Sequence, residues 1–173
     1  MDLLDCSSQR FYLLIAPGPI RQAWMTHLIT RLAIAGPLRV LDGGNRLDVR
    51  LIARQLRGQC RSFYPILQRI LVARAFTCHQ FVTLLDQTAL QPTPTVILDL
   101  LDTFADESLA FERRYRLLEH VLQRIQALAQ QALVLVSISS PRPGDSLFDL
   151  LESHADAIWR FESQSPPSQP TLF

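Results

Sequence analysis

Six short apolar runs alternate along this chain with longer amphipathic stretches, and this alternation constrains the fold more than any other feature. It is the pattern of an α/β sheet whose strands are joined by helical crossovers. The runs are Phe11 to Ala16 (FYLLIA), Leu38 to Leu41, Ile70 to Ala73, Val96 to Leu101 (VILDLL), Leu133 to Ile138 and Ala157 to Phe161. The fourth is almost unbroken and holds one acid, Asp99, as a strand buried on both faces would. Between the runs, the spacing predicts helices over about Ile20 to Ala35, Arg46 to Leu56, Thr77 to Leu90, Ser108 to Gln131 and Asp145 to Ser153. Pro17-Gly18-Pro19 stops the first strand, Gly36-Pro37 ends the first helix, and a Pro-Thr-Pro loop at 92–94 follows the third. The expected fold is a three-layer α/β domain with a mainly parallel central sheet.

At 173 residues, with 48% hydrophobic and 19% charged content, one domain with a sizeable core is expected over 1–162. The Pro/Ser/Gln-rich stretch 163–173 is expected to be a disordered tail. No apolar run approaches the roughly 18 residues needed to span a bilayer, and Met1 to Arg10 lacks a basic n-region, so a cytoplasmic protein without a membrane partner is expected. Cys6, Cys60 and Cys78 form no pair at metal-ligand or redox spacing and read as reduced, core-packing thiols.

All seventeen basic residues other than histidine are arginine. The absence of lysine excludes Schiff-base chemistry and the phosphate-gripping lysine of a P-loop. Ligands of open α/β sheets sit outside the carboxyl ends of the strands, which directs attention to 16–23, 42–46 and 99–106. The first of these is where a phosphate loop would lie, between a strand and a helix. Laid on GxxxxGK[ST], Ala16 stands for the first Gly, Arg21 for the second, Gln22 for the Lys and Ala23 for the hydroxyl that holds Mg²⁺. Every defining position differs, and the two prolines remove N–H donors. A plain strand-to-helix turn is the expected role of this segment, with Arg21 placed to touch an anion at the helix start.

The order of segments resembles the core of the RecA/RadA recombinase superfamily over roughly residues 11 to 161. The resemblance is carried by VLDGGNRLDVRLIARQL from Val40, by Ala73-Arg74-Ala75-Phe76 with His79-Gln80, and by VILDLLDTF ending its strand at Asp99. It implies a RecA-like fold, with Asp42 as the leading acid after the second strand and Asp99 as the Walker B acid. Gly18, Arg21, Gln22, Asp42 and Asp99 would then outline a vestigial nucleotide site. Gly44 stands where the family's water-activating Glu would be, and Ser137-Ile138-Ser139-Ser140-Pro141 replaces the Asn/Gln sensor. With so little left to stabilise a phosphoryl-transfer transition state, the expectation is an inactive ATPase homologue without a cofactor. At Asp99 two roles stay open, support of a Mg²⁺ ion or a cap for Thr103 and the following loop.

Net charge of +1 conceals an asymmetry. Residues 39–74 hold eight arginines and two acids, whereas 75–173 hold six arginines and twelve acids. Arg46, Arg50, Arg54 and Arg57 recur at helical spacing opposite Val49, Ile52, Ala53 and Leu56, a stripe suited to a phosphate backbone, an acidic neighbour or plain solvation. Arg113, Arg114 and Arg116 form a second cluster near where the family's first DNA loop would be. His27, His120 and His154 have no ligand partner at helical spacing and read as satisfied or solvated, and His79 with Gln80 reads as packing near the site edge.

Three functions remain. The first is a non-catalytic accessory subunit in DNA recombination or repair, bound to a RecA-like ATPase, to another protein, to copies of itself or to DNA. The second is a nucleotide-binding NTPase-like protein with an atypical phosphate loop. The third is a RecA-fold regulator of an unrelated partner, such as a cell-division inhibitor.

Overall fold

A computed structural model describes residues 10–105 and 108–161. Cys6 and the tail expected to be disordered lie outside the described residues. The elements run β1 (Phe11–Ile15), α1 (Gly18–Ala35), β2 (Leu38–Asp42), α2 (Val49–Gln59), α3 (Tyr64–Leu67), β3 (Ile70–Arg74), α4 (Cys78–Gln87), β4 (Thr95–Leu98), a 3-10 helix (Leu100–Phe104), α5 (Phe111–Ala129), β5 (Val134–Ile138), α6 (Ser146–His154) and β6 (Ala157–Arg160).

Local chemistry sets most boundaries. Pro19 sits in the first turn of α1, where its missing N–H costs nothing, and Gly36-Pro37 closes that helix. Asp48 caps α2 by accepting from Arg50 N at 2.9 Å. Thr77 caps α4 by accepting from Gln80 N at 3.2 Å, while Gln80 Oε1 accepts from Phe76 N at 2.9 Å. Asp145 caps α6 by accepting from both Leu147 N and Phe148 N.

The six strands form one all-parallel sheet in the order β3-β2-β4-β5-β1-β6. From β1 to β2 to β3 the chain moves one way with α1, α2 and α3 on one face; it returns through β4, β5 and β6 with α4, α5 and α6 on the other. Reversing direction and face together keeps every crossover the same hand. Alternate strand residues divide the core accordingly: Phe11, Leu13 and Ile15 meet Leu122 and Ile125, while Tyr12 and Leu14 meet Met25, Leu28 and Ile29. Each such side chain, fully buried, contributes about 1.5–3 kcal/mol relative to exposure.

Several expectations need correction. The apolar run VILDLL is strand only as far as Leu98, because Asp99 turns left-handed (φ 52°) and the chain continues as a 3-10 helix. Helix α2 starts at Val49 rather than Arg46, since the preceding loop is held by Asp42, and Val49 is exposed rather than packed. The helix expected from Ser108 begins at Phe111, which is exposed, and its buried stripe begins at Leu118. Cys78 is buried as expected, whereas Cys60 is only partly so.

Candidate functional site

The carboxyl ends of β4 and β5 meet the start of α1 and the loop after β2 around one cavity of about 340 Å³. Its polar wall is Arg21, Gln22, Arg46, Asp48, Asp99 and Ser137; Met25, Ile29, Leu47 and Leu98 supply apolar surface. Arg21, Gln22, Arg46 and Asp99 come from the three segments marked by the strand-end argument, whereas Met25, Ile29, Leu47, Asp48, Leu98 and Ser137 lie outside them.

At the centre, Arg21 Nε lies 2.7 Å from Asp99 Oδ1, with the two side chains 10% and 2% exposed. The contact is ionic: Oδ1 accepts no well-directed hydrogen bond, while Arg21 Nη1 donates to Ala16 O at 3.1 Å and so ties the guanidinium to the end of the first strand. Asp99 N donates to Ser137 Oγ at 3.3 Å. The left-handed backbone at Asp99 is a conformation that Asp tolerates better than most residues, and it is where the chain leaves β4 for the 3-10 helix. Burial pushes the Asp99 carboxyl up to about 6; Arg21 opposes that shift, Asp102 adds to it, Arg46 opposes it and Asp42 adds to it.

The Gly43-Gly44 pair lets the loop after β2 lie against this turn. A Cβ on Gly44 would stand 2.7 Å from Asp99 Cβ, and one on Gly43 would stand 3.0 Å from Thr103 Cγ2 and 3.1 Å from Asp99 O. Close approach, not unusual backbone rotation, is what requires glycine at both places. No side chain fits at Gly44 without displacing Asp99, so a carboxylate base has no room at that position.

Asp42 has a different task. Fully buried at the end of β2, it accepts from Arg46 N at 3.0 Å and from Leu47 N at 3.1 Å, and pairs with Arg74 Nε at 3.2 Å. It therefore folds the loop that carries Arg46 rather than lining the cavity. Gly18 and the exposed Gln22 flank the cavity mouth. Of the two roles open for Asp99, a cap on Thr103 is not formed: its side chain accepts nothing from the 3-10 helix, and Thr103 Oγ1 donates to Leu100 O instead.

The two arginine clusters are not one surface. Arg50, Arg54 and Arg57 are exposed on α2, Arg50 lying 3.6 Å from Asp48 and Arg57 stacking over the Phe63 ring at 4.7 Å. Arg113 and Arg116 are exposed on α5, on the opposite layer, whereas Arg114 Nη1 donates to Phe104 O at 3.1 Å and is a structural tie. His79 is exposed and does not line the cavity, and His120 Nε2 lies 2.8 Å from Asp86 Oδ1.

A magnesium–nucleotide complex, which the resemblance brings to mind, does not fit these residues. The two deeply buried carboxylates, Asp99 and Asp42, are each already in contact with a guanidinium, Pro17 and Pro19 lack N–H donors at the turn, and the start of α1 has no hydroxyl. Among the described residues no group of three or more His, Cys, Asp and Glu side chains is placed to hold a metal ion. No helix among them is long and apolar enough to cross a membrane. No protein-family model matches the chain, and no curated protein matches its sequence.

Sequence reasoning read Ser137 only as part of the stretch that replaces the Asn/Gln sensor, not as a residue of the site. Its signal was present, a hydroxyl in the otherwise apolar run VLVSI, and that hydroxyl is buried against the turn at Asp99.

Proposed function

We propose that this chain is a non-catalytic relative of the RecA/RadA recombinases that works through macromolecular contact, as an accessory subunit in DNA recombination or repair. The observation that carries the non-catalytic part is the Arg21–Asp99 contact. Where phosphate and metal charge would be balanced, the protein balances its own. A nucleotide would have to detach Arg21 from a buried acid and then bind at a turn with two prolines, without lysine, hydroxyl or catalytic base. Gly44 adds to this, since the space a base would need is filled by Asp99. The segment order from Val40 to Asp99 supports the recombinase connection, and the exposed α2 arginines and apolar β3 edge support a role in contact.

The test is a titration with ATP or ADP plus Mg²⁺, read by thermal stability. A ligand at a hundredfold over its Kd would add about 2.7 kcal/mol. No shift is expected at millimolar nucleotide, and a clear shift overturns the reading in favour of an NTPase-like protein. The recombination part is tested by adding the protein to a RecA-type ATPase from the same source. A changed rate of strand exchange is expected, and an unchanged rate at excess protein removes that part.

A further inference from the structure

The last described strand ends close to the cavity. Strand β6 runs parallel to β1, so its carboxyl end lies at the same edge of the sheet. There Phe161 N donates to Ile15 O at 2.9 Å, and the Phe161 ring lies 5.0 Å from that of Trp24 on α1. Trp24 is about half a turn round α1 from Gln22 and Thr26, which line the cavity. The chain therefore leaves the described structure on one flank of α1, and the cavity lies on the other. Between them is the start of the helix, where Gly18 and Pro19 are exposed and a Cβ on Gly18 would meet nothing within 4 Å.

The sequence beyond Phe161 suits that path. Ten residues, 162–171, separate Phe161 from Leu172. At about 3.1 Å per residue in polyproline II they reach about 30 Å, well beyond the roughly 10–12 Å width of a helix. Pro166, Pro167 and Pro170 favour that extended form, which lowers the entropy lost on docking. Residues 163–173 hold no acid and no base, and Leu172-Phe173 is their apolar pair.

The cavity matches such an occupant. Arg21 and Asp99 already balance each other, so an uncharged segment requires no rearrangement of charge. Met25, Ile29, Leu47 and Leu98 supply apolar surface. Beside them the Arg46 and Gln22 side chains have no hydrogen-bond or ion-pair partner among the described residues. Both carry N–H donors, and an extended peptide offers carbonyl acceptors that no internal hydrogen bond occupies.

We propose that the chain's own segment 163–173 docks in this cavity, with Leu172 and Phe173 on its apolar wall and backbone carbonyls accepting from Arg46 and Gln22. Such docking rests on the reading above that no nucleotide takes this place.

The experiment titrates a fluorescein-labelled peptide of residues 163–173, amidated at its C-terminus, into the full chain and follows fluorescence anisotropy. The tethered segment competes at an effective concentration of about millimolar, so the peptide is expected to bind Leu172→Ser with Phe173→Ser about tenfold or more tighter than it binds wild type. A peptide carrying the same two serines is expected to bind that variant about tenfold or more weakly than the native peptide, a loss of about 1.4 kcal/mol. Adding Leu47→Glu to the tail variant places a charge on the apolar wall and is expected to abolish binding, with circular dichroism reporting the fold. Arg46→Ala, at an exposed side chain, serves if Leu47→Glu misfolds and is expected to weaken binding. No binding to the tail variant, equal affinity for wild type and tail variant, equal affinity of the two peptides, or binding indifferent to the cavity substitutions overturns the proposal. The titrations contain no nucleotide, so they and the thermal-stability test above fail independently.

Discussion

Arg21 Nε and Asp99 Oδ1 approach to 2.7 Å at the carboxyl end of the sheet, joining the first turn of α1 to the end of β4, with both side chains nearly closed to water. Each partner is held by other contacts as well, Arg21 by Ala16 O and the Asp99 backbone by Ser137. The pair is thus part of how the strand ends are assembled.

Removing one partner leaves the other buried and uncompensated. Arg21→Met is expected to destabilise the protein by about 3–5 kcal/mol at pH 7.5, and combining it with Asp99→Asn to recover most of that loss. Urea denaturation of the four proteins measures this directly. Additive losses in the double variant would show that the contact contributes nothing as a pair.

The Asp99 carboxyl also makes stability depend on pH. Its ordinary value of 3.8 rises to about 6 in the folded protein, so the native state binds this proton more tightly than the unfolded chain. The group therefore penalises folding above about pH 6, and the penalty fades as pH falls toward 4, a change of about 3 kcal/mol in all. Relative to Asp99→Asn, the wild type is expected to gain stability between pH 7 and pH 4.5. A constant difference between the two would contradict the assignment.

At Gly44 a single methyl group should be costly. Its Cβ would stand 2.7 Å from Asp99 Cβ, so Gly44→Ala must move either the loop or the turn. A loss of about 1–3 kcal/mol is expected in denaturant melts, while Gly58→Ala, at a glycine with open space around it, should be neutral or mildly stabilising.

The Asp42 carboxylate holds two amides and one guanidinium, and an amide in its place can only accept at one of its two positions. Asp42→Asn is expected to cost about 2–3 kcal/mol and to speed amide exchange at Arg46 and Leu47. Unchanged protection of those two amides would refute the role given to Asp42.

Apolar periodicity located all six strands and the five longer helices, because each buries a face large enough to leave a repeat in the sequence. Helix α3 left none: four residues with Pro65 in the first turn show no period. Asp99 was visible as an acid in an apolar run, and Arg21 as the side chain in place of a glycine. Their pairing was not, since it depends on the left-handed turn after Leu98, and nothing in VILDLL announces that turn. The start of α2 was misplaced for a related reason, that a buried carboxylate in a neighbouring strand overrode local helical spacing. Nor does ILVA at β3 look different from a central strand, as edge or centre is decided by sheet order alone.

On the reading proposed above, two prolines around Gly18 and an internal counter-ion for Asp99 would remove the usual reason for such a domain to alternate between shapes. A nucleotide-driven partner lets go when its fuel is spent. Under the accessory role proposed above, a subunit whose charges are settled within the chain would carry no such timer, and the lifetime of its contacts would follow from how much protein the cell makes and how salty its surroundings are.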